Sequence, residues 1–426
     1  MPDSKSPSPS FLQSRWVQLA LGLVCMLSIS SPQYVWALFT KPLLAQLGVG
    51  LPALQVTFSI LIVLQTFFSP FQGWLVDRFG PRLLLSVGTV LTGLSWVVSA
   101  QVSSVEGLYL SYGVLGGLGT GIVYIGVVGL MMKWFPKTRG FAVGMVAAGY
   151  GIGAVITTLP IANSLAASGY QQTLLVFGCL IGAVGLVAAQ GIRNPLATNA
   201  HSEAPAPALS GVTPAVMLKT PVFWLMFVMM SMMSTSGLMV ISQMGAFAKD
   251  FGVATIVVWG VAALPLALTI DRVTNGLTRP LFGWISDRIG REYTMTIAFG
   301  LEALAMLAWL QFRQDPLLFV LISGVVFFGW GEIFSLFPST LTDTFGAKHA
   351  TTNYGFLYMA QGVGSIVGGP IAALIHGSTG SWTPVFGLMI GFDALAALLA
   401  FFVLRPLRRN YMALNSGAAP ASARAS

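Results

Sequence analysis

The chain has 426 residues, 55% of them hydrophobic and only 8% charged, with a mean hydropathy of +0.80. Soluble domains carry roughly 25% charged residues, and a chain this apolar could not keep its surface in water. Its net charge of +8 is not gathered on one soluble face, as a nucleic-acid footprint would be, so no nucleic-acid partner is expected.

Residues 1–14 are polar, lack the apolar core of a cleavable leader, and read as an N-terminal tail. Apolar runs long enough to span a bilayer then follow in two sets. The first set is 16–40, 53–76, 83–103, 107–132, 140–166 and 172–191, within a bundle at 15–191. Residues 192–218, with Pro, Ser, Asn, His201 and Glu203, read as a flexible linker. The second set is 221–247, 255–284, 294–312, 316–341, 352–376 and 382–404, within a bundle at 219–405, and 406–426 reads as a tail. The expected fold is an all-α integral membrane protein of twelve helices in two pseudo-symmetric six-helix bundles.

Twelve spans put both termini on one side, where 16 Lys and Arg residues fall against 3 on the other. Excess positive charge marks the cytoplasmic side. The expectation is a multi-pass protein of the plasma (inner) membrane with both termini cytoplasmic, the lipid bilayer as a partner, and a monomeric state. Cys25 and Cys179 both lie in predicted spans, so neither a disulfide, a metal site nor a cofactor is expected. Nor does the sequence contain the paired His, Cys–His or metal-ligand spacing of an enzyme, and no enzymatic activity is expected.

One phrase occurs twice, 210 residues apart: Gly73-Trp74-Leu75-Val76-Asp77-Arg78-Phe79-Gly80 and Gly283-Trp284-Ile285-Ser286-Asp287-Arg288-Ile289-Gly290. Each copy closes an apolar run. Its glycines allow close helix approach and tight turning, and its Asp and Arg suit pairing with backbone or charges at neighbouring helix ends. Such internal repeats are typical of transporters whose substrate site lies where the halves meet.

The repeated phrase resembles the cytoplasmic loop motif of the major facilitator superfamily, and the resemblance implies alternating access about a central site. A narrower resemblance, to the oxalate/formate antiporter family and its monocarboxylate transporter neighbours, rests on several segments. They are Ile29–Trp36, Gly121–Tyr124, Arg139-Gly140, Ala147–Gly151, Asn275-Gly276-Leu277-Thr278-Arg279-Pro280 and Tyr354–Tyr358. It implies that Arg279, just before Pro280, is the essential substrate cation, and that Tyr34, Tyr124, Tyr150 and Trp330 line the site.

Physical reasoning supports Arg279 independently. A charge within a span survives where it faces a cavity or a partner, and the planar guanidinium suits a carboxylate. Asn275, four residues earlier on the same helical face, is placed to hold the guanidinium or to donate to the substrate. The resemblance places Gln361 where dicarboxylate members of that family carry Lys, and one cation with a neutral amide matches one carboxylate. Gln33, Tyr358 and Phe334 complete the candidate substrate site, with hydroxyl and indole N–H groups orienting the anion. Glu332 and Asp271 are candidates for proton coupling, whereas Arg272 is expected to pair with Asp271 or another helix. The reading is secondary active transport of a monocarboxylate such as lactate, pyruvate or formate, with a proton or counter-anion as partner. The alternative is an oxalate/formate antiporter.

Overall fold

The computed structural model describes residues 11–195 and 210–415. His201, Glu203 and most of the two expected tails lie outside these residues.

The described chain is helical apart from one hairpin of two-residue strands, Val257–Val258 and Val261–Ala262. In lipid, a helix satisfies every backbone polar group within its own segment. Proline opens several helices, including those at Pro81, Pro221 and Pro316, where its missing N–H has no helical partner to lose.

The helices make twelve spans in two sets of six. The first runs Arg15–Tyr34 and continues as Trp36–Leu47. The second is a pair, Leu51–Thr66 and Ser69–Phe79, bent by 47°. Next come Pro81–Ser99 and Val105–Trp134. The unbroken-looking helix Arg139–Gly191 has 53 residues, about 80 Å at 1.5 Å per residue and far more than one bilayer. It divides into the fifth and sixth spans at Gly169, whose φ of 74° only glycine adopts readily. The second set is Pro221–Asp250, Ala263–Ile289, Arg291–Gln311, Pro316–Phe345, Ala350–Thr379 and the span beginning at Thr383.

Of these twelve, the eighth, Ala263–Ile289, is missing from the helices apolar enough to cross a membrane on composition alone. Asp271, Arg272, Asn275 and Arg279 make it so. A span that polar is stable only if its polar face looks into the protein.

Three sequence expectations need correction here. The eighth span does not begin at 255: residues 257–262 form the hairpin and the helix starts at Ala263. The β-branched Ile256-Val257-Val258 run favours extended backbone, and Trp259 and Gly260 turn with positive φ (52° and 83°), as a two-residue hairpin needs. The described ends of the expected flexible linker are held in place. Val212 N–H donates to Phe345 O at 2.9 Å, and Pro214–Met217 forms a helical turn. Beyond the twelfth span, the described part of the expected tail is a helix, Arg405–Asn415; Arg408 anchors it by pairing with Glu292.

The ends of both six-helix sets gather at one end of the bundle. Gln18 Nε2 donates to Gly191 O at 2.9 Å, joining the start of the first span to the end of the sixth. The segment entering the seventh span pairs with the end of the tenth through Gly211 and Gly346.

Candidate anion site between the halves

Both copies of the repeated phrase lie at this shared end, where each reaches into the opposite half. Asp77, ending the second span, pairs with Lys133 at 2.7 Å and accepts from Thr352 N–H at 2.9 Å in the eleventh. Asp287, ending the eighth, accepts from the N–H groups of Gly140 and Phe141 at 3.0 and 2.9 Å at the start of the fifth. It also pairs with Arg291 at 2.7 Å. Each aspartate thus meets a helix N-terminus, where the dipole and free N–H groups favour negative charge. Gly73 lies against the Thr351 and Thr352 backbone and Gly283 against the Gly140 backbone, with no room for a Cβ. Gly80 and Gly290 turn the chain at φ of 90° and 102°. The arginines depart from expectation: Arg78 and Arg288 stack on Trp74 and Trp284 of their own helices. The protein is closed at this end.

Deeper along the same helix pair, Gly144 packs on the Arg279-Pro280 backbone. Arg279 is 2% exposed. Its guanidinium donates to Ala147 O of the fifth span and to Asn275 Oδ1, both at 2.7 Å, and lies 4.5 Å from the Phe334 ring centroid. Among the described residues it has no ion pair, and Arg279 Nε and Asn275 Nδ2 are buried without partners.

Tyrosines adjoin it, three of them from the other half and Tyr358 from its own. Tyr150 meets Tyr34 and Tyr124 edge-on at 5.4 and 5.3 Å, and Tyr124 stacks on Tyr358 at 4.8 Å. The Tyr150 hydroxyl donates to Gln33 Oε1 and accepts from Gln65 Nε2 at 3.0 Å. The Tyr124 hydroxyl, Gln65 Oε1 and Gln361 Oε1 are buried and unpartnered. Tyr34, Gln33 and Asn275 are only partly buried. Trp330 packs edge-on to Phe334, but its indole N–H donates to Met233 O at 2.8 Å. It therefore offers a ring, and not the N–H expected from sequence.

The expected pairing of Arg272 is not found. It is exposed, with no ion pair among the described residues, while neighbouring Asp271 is buried with both oxygens unpartnered. Adjacent helical residues point about 100° apart, which separates them. Glu332 is buried in the tenth span, and its carboxylate oxygens have no partner.

Gln65 is uncharged and does not stand out in its span, yet the sequence holds a signal for it: it lies 210 residues before Asn275. The same offset pairs Ser69-Pro70 with Arg279-Pro280 and Tyr124 with Phe334. In space, Gly355 packs on the Ser69-Pro70 backbone as Gly144 does on Arg279-Pro280. The two halves present matching positions, but only the C-terminal half fills one with a cation.

A pseudo-symmetric helical membrane protein, closed at one end around a buried unpaired cation, is built as a transporter. The chain matches the Major Facilitator Superfamily over residues 19–270 and 228–424, and it belongs to that family. It is 34% identical over 409 residues to the oxalate:formate antiporter of Oxalobacter formigenes, covering 94% of this chain and 95% of that one. It is 23% identical over 359 residues to monocarboxylate transporter 13 of Bos taurus, 82% of each chain. Its fold matches the proton:xylose symporter XylE bound to 6-bromo-6-deoxy-D-glucose, with a TM-score of 0.70 at 15% identity over 92% of this chain and 96% of that one. This is a multi-pass transporter and not an enzyme.

Proposed function

We propose that the protein carries a small monocarboxylate, such as lactate, pyruvate or formate, across the plasma (inner) membrane by alternating access with proton coupling. The observation that carries this reading is Arg279: a buried guanidinium with no carboxylate partner, its Nε free beside the free Asn275 Nδ2. A charge held in low dielectric without a counter-ion costs several kcal/mol, and a substrate carboxylate removes that cost by binding there. Tyr124 donates from the opposite half, while the rings of Tyr34, Tyr150, Tyr358, Trp330 and Phe334 exclude water. Gln361 and Gln33 contribute neutral amides, suited to a hydroxyl or keto group and not to a second carboxylate. Closure through Asp77 and Asp287 on one side, and opening there after rearrangement, exposes the site alternately.

The 34% identity to an oxalate:formate antiporter favours a second reading, exchange of a dicarboxylate for a monocarboxylate. Radiolabelled uptake into proteoliposomes separates the two. Lactate accumulation driven by an inward proton gradient is expected. Uptake of oxalate that needs only internal formate or oxalate, with no response to the gradient, would establish the exchanger instead.

A further inference from the structure

Three carboxyl side chains sit in the interior of the C-terminal half. Glu302 is on the ninth span, Glu332 on the tenth and Asp393 on the twelfth, and all three are 0% exposed. Among the described residues, both oxygens of Glu302 and of Glu332 lack a hydrogen-bond partner. Asp393 Oδ2 accepts from Ser236 of the seventh span at 3.1 Å, and its Oδ1 has no partner. Among the described residues, none of the three is in an ion pair. Nor, among the described residues, do they join any group of three ligands placed to hold a metal ion.

The ninth span packs against both the tenth and the twelfth, which brings the three together. Glu302 has Asp393 and Glu332 as electrostatic neighbours, and Glu332 has Asp393 and Arg279. The tenth span connects the cluster to the anion site through two glycines. Gly329 packs on the Cα–Cβ of Glu302, and Gly331 on Asn275 and Thr278. Glu332 follows at the break between helices Pro316–Trp330 and Ile333–Phe345. Other charges on the packed elements are held elsewhere: Asp250 of the seventh span pairs with His376 and accepts from Trp382, and Arg405 lies over Tyr293 and Phe401. Arg291, Asp287, Asp343 and Arg139 bind one another at the closed end, as do Arg408 and Glu292, while Arg288 stacks on Trp284. Asp271 and Arg272 lie two turns along the eighth span from Arg279, on the side away from the closed end.

Three ionised carboxylates at this depth, with no cation between them, would each cost several kcal/mol. A bound proton removes the charge and turns an acceptor-only group into a donor to its neighbour.

We infer that Glu302, Glu332 and Asp393 form the site that binds the coupled proton, sharing it within a cluster that reaches the substrate through Glu332, Gly331 and Asn275. This rests on the proton-coupled carboxylate reading and specifies where the proton rides. In the step, a carboxylate of the cluster takes a proton from water on one side, becomes a carboxylic acid, and returns the proton to water on the other. Anion and proton are linked through Arg279. A substrate carboxylate neutralises the guanidinium, removing the cation that opposes a proton on Glu332, and by reciprocity the proton favours the anion.

The test uses the full-length transporter in proteoliposomes, with Glu302→Gln, Glu332→Gln and Asp393→Asn variants. Labelled lactate is followed both as accumulation driven by a proton gradient and as lactate-for-lactate exchange without one. Loss of the gradient-driven component relative to exchange is expected in each variant. Infrared difference spectra of the wild type, with and without lactate, should show a change in the protonated-carboxyl C=O stretch that Glu332→Gln abolishes. Variants that accumulate lactate as the wild type does would overturn the cluster while leaving the carboxylate reading intact, as would a wild-type spectrum with no lactate-dependent carboxyl band. A wild type that exchanges lactate but ignores the gradient would overturn proton coupling itself, and the cluster with it.

Discussion

Arg279 is held by neutral acceptors, the Ala147 carbonyl and the Asn275 amide oxygen, and by the face of Phe334. These orient the guanidinium without cancelling its charge, so the charge stays available to an anion. A lysine would keep the charge but not the fork of donors. Losing one charge-assisted hydrogen bond costs roughly 1.5–3 kcal/mol, so Arg279→Lys should weaken lactate binding on the order of tenfold to a hundredfold. Equilibrium binding to purified protein checks this, and unchanged affinity would remove Arg279 from the substrate site. That an arginine in the eighth span mattered was legible from its mere presence there. Its partners were legible only in part. Asn275 follows from helical spacing, whereas the Ala147 carbonyl lies 132 residues away in sequence and carries no side-chain signature.

Among the elements, the helix pairs that close the protein follow one plan. The second span meets the eleventh, and the eighth meets the fifth, with a glycine at the crossing and an aspartate reaching the opposing helix N-terminus. Small residues let the backbones approach, and the aspartate supplies a bond that can be broken and remade. Asp287→Asn removes the charge behind the bonds to Gly140, Phe141 and Arg291. It should cost the closed state about 1.5–3 kcal/mol and shift the population toward opening at this end. Spin labels on the ends of the fifth and eighth spans should report longer distances in the variant; identical distance distributions would refute the latch. The glycine and aspartate pattern could be read from the repeat, yet not the fate of its arginines. Arg78 and Arg288 have tryptophans four residues earlier on their own helices, and stacking there takes precedence over contact across the halves. The hairpin before the eighth span was hidden for a different reason: Ile256-Val257-Val258 is as apolar as a membrane span, and hydropathy does not distinguish strand from helix over so few residues.

Over the whole molecule, two related halves meet across a site that is not itself symmetric. Position for position, Gln65 faces the role of Asn275 and Ser69 that of Arg279, so the C-terminal half holds the cation and the N-terminal half contributes tyrosines. Both described chain ends lie at the closed end of the bundle, which also carries most of the Lys and Arg residues. By the positive-inside rule we propose that this end faces the cytoplasm. A fluorescent protein fused after Asn415 should therefore fold and fluoresce, whereas alkaline phosphatase at the same point should be inactive. The reverse pattern would invert the orientation.

Composition and the 210-residue repeat by themselves determined a membrane protein of two related helical halves, because hydrophobic length and duplicated turns are local properties of the chain. The intramembrane arginine was equally visible, since a charge in lipid stands out against its surroundings. Only tertiary structure decided which polar groups have partners. Trp330 loses its N–H to Met233, Arg272 has no ion pair with Asp271, and Gln65 joins the tyrosines. Glu302, Glu332 and Asp393 come from three separate spans, and it is packing of those spans that buries them without an ion pair among the described residues. Whether a buried group is satisfied depends on what the fold sets opposite it, and contacts between distant segments leave no periodicity in the sequence.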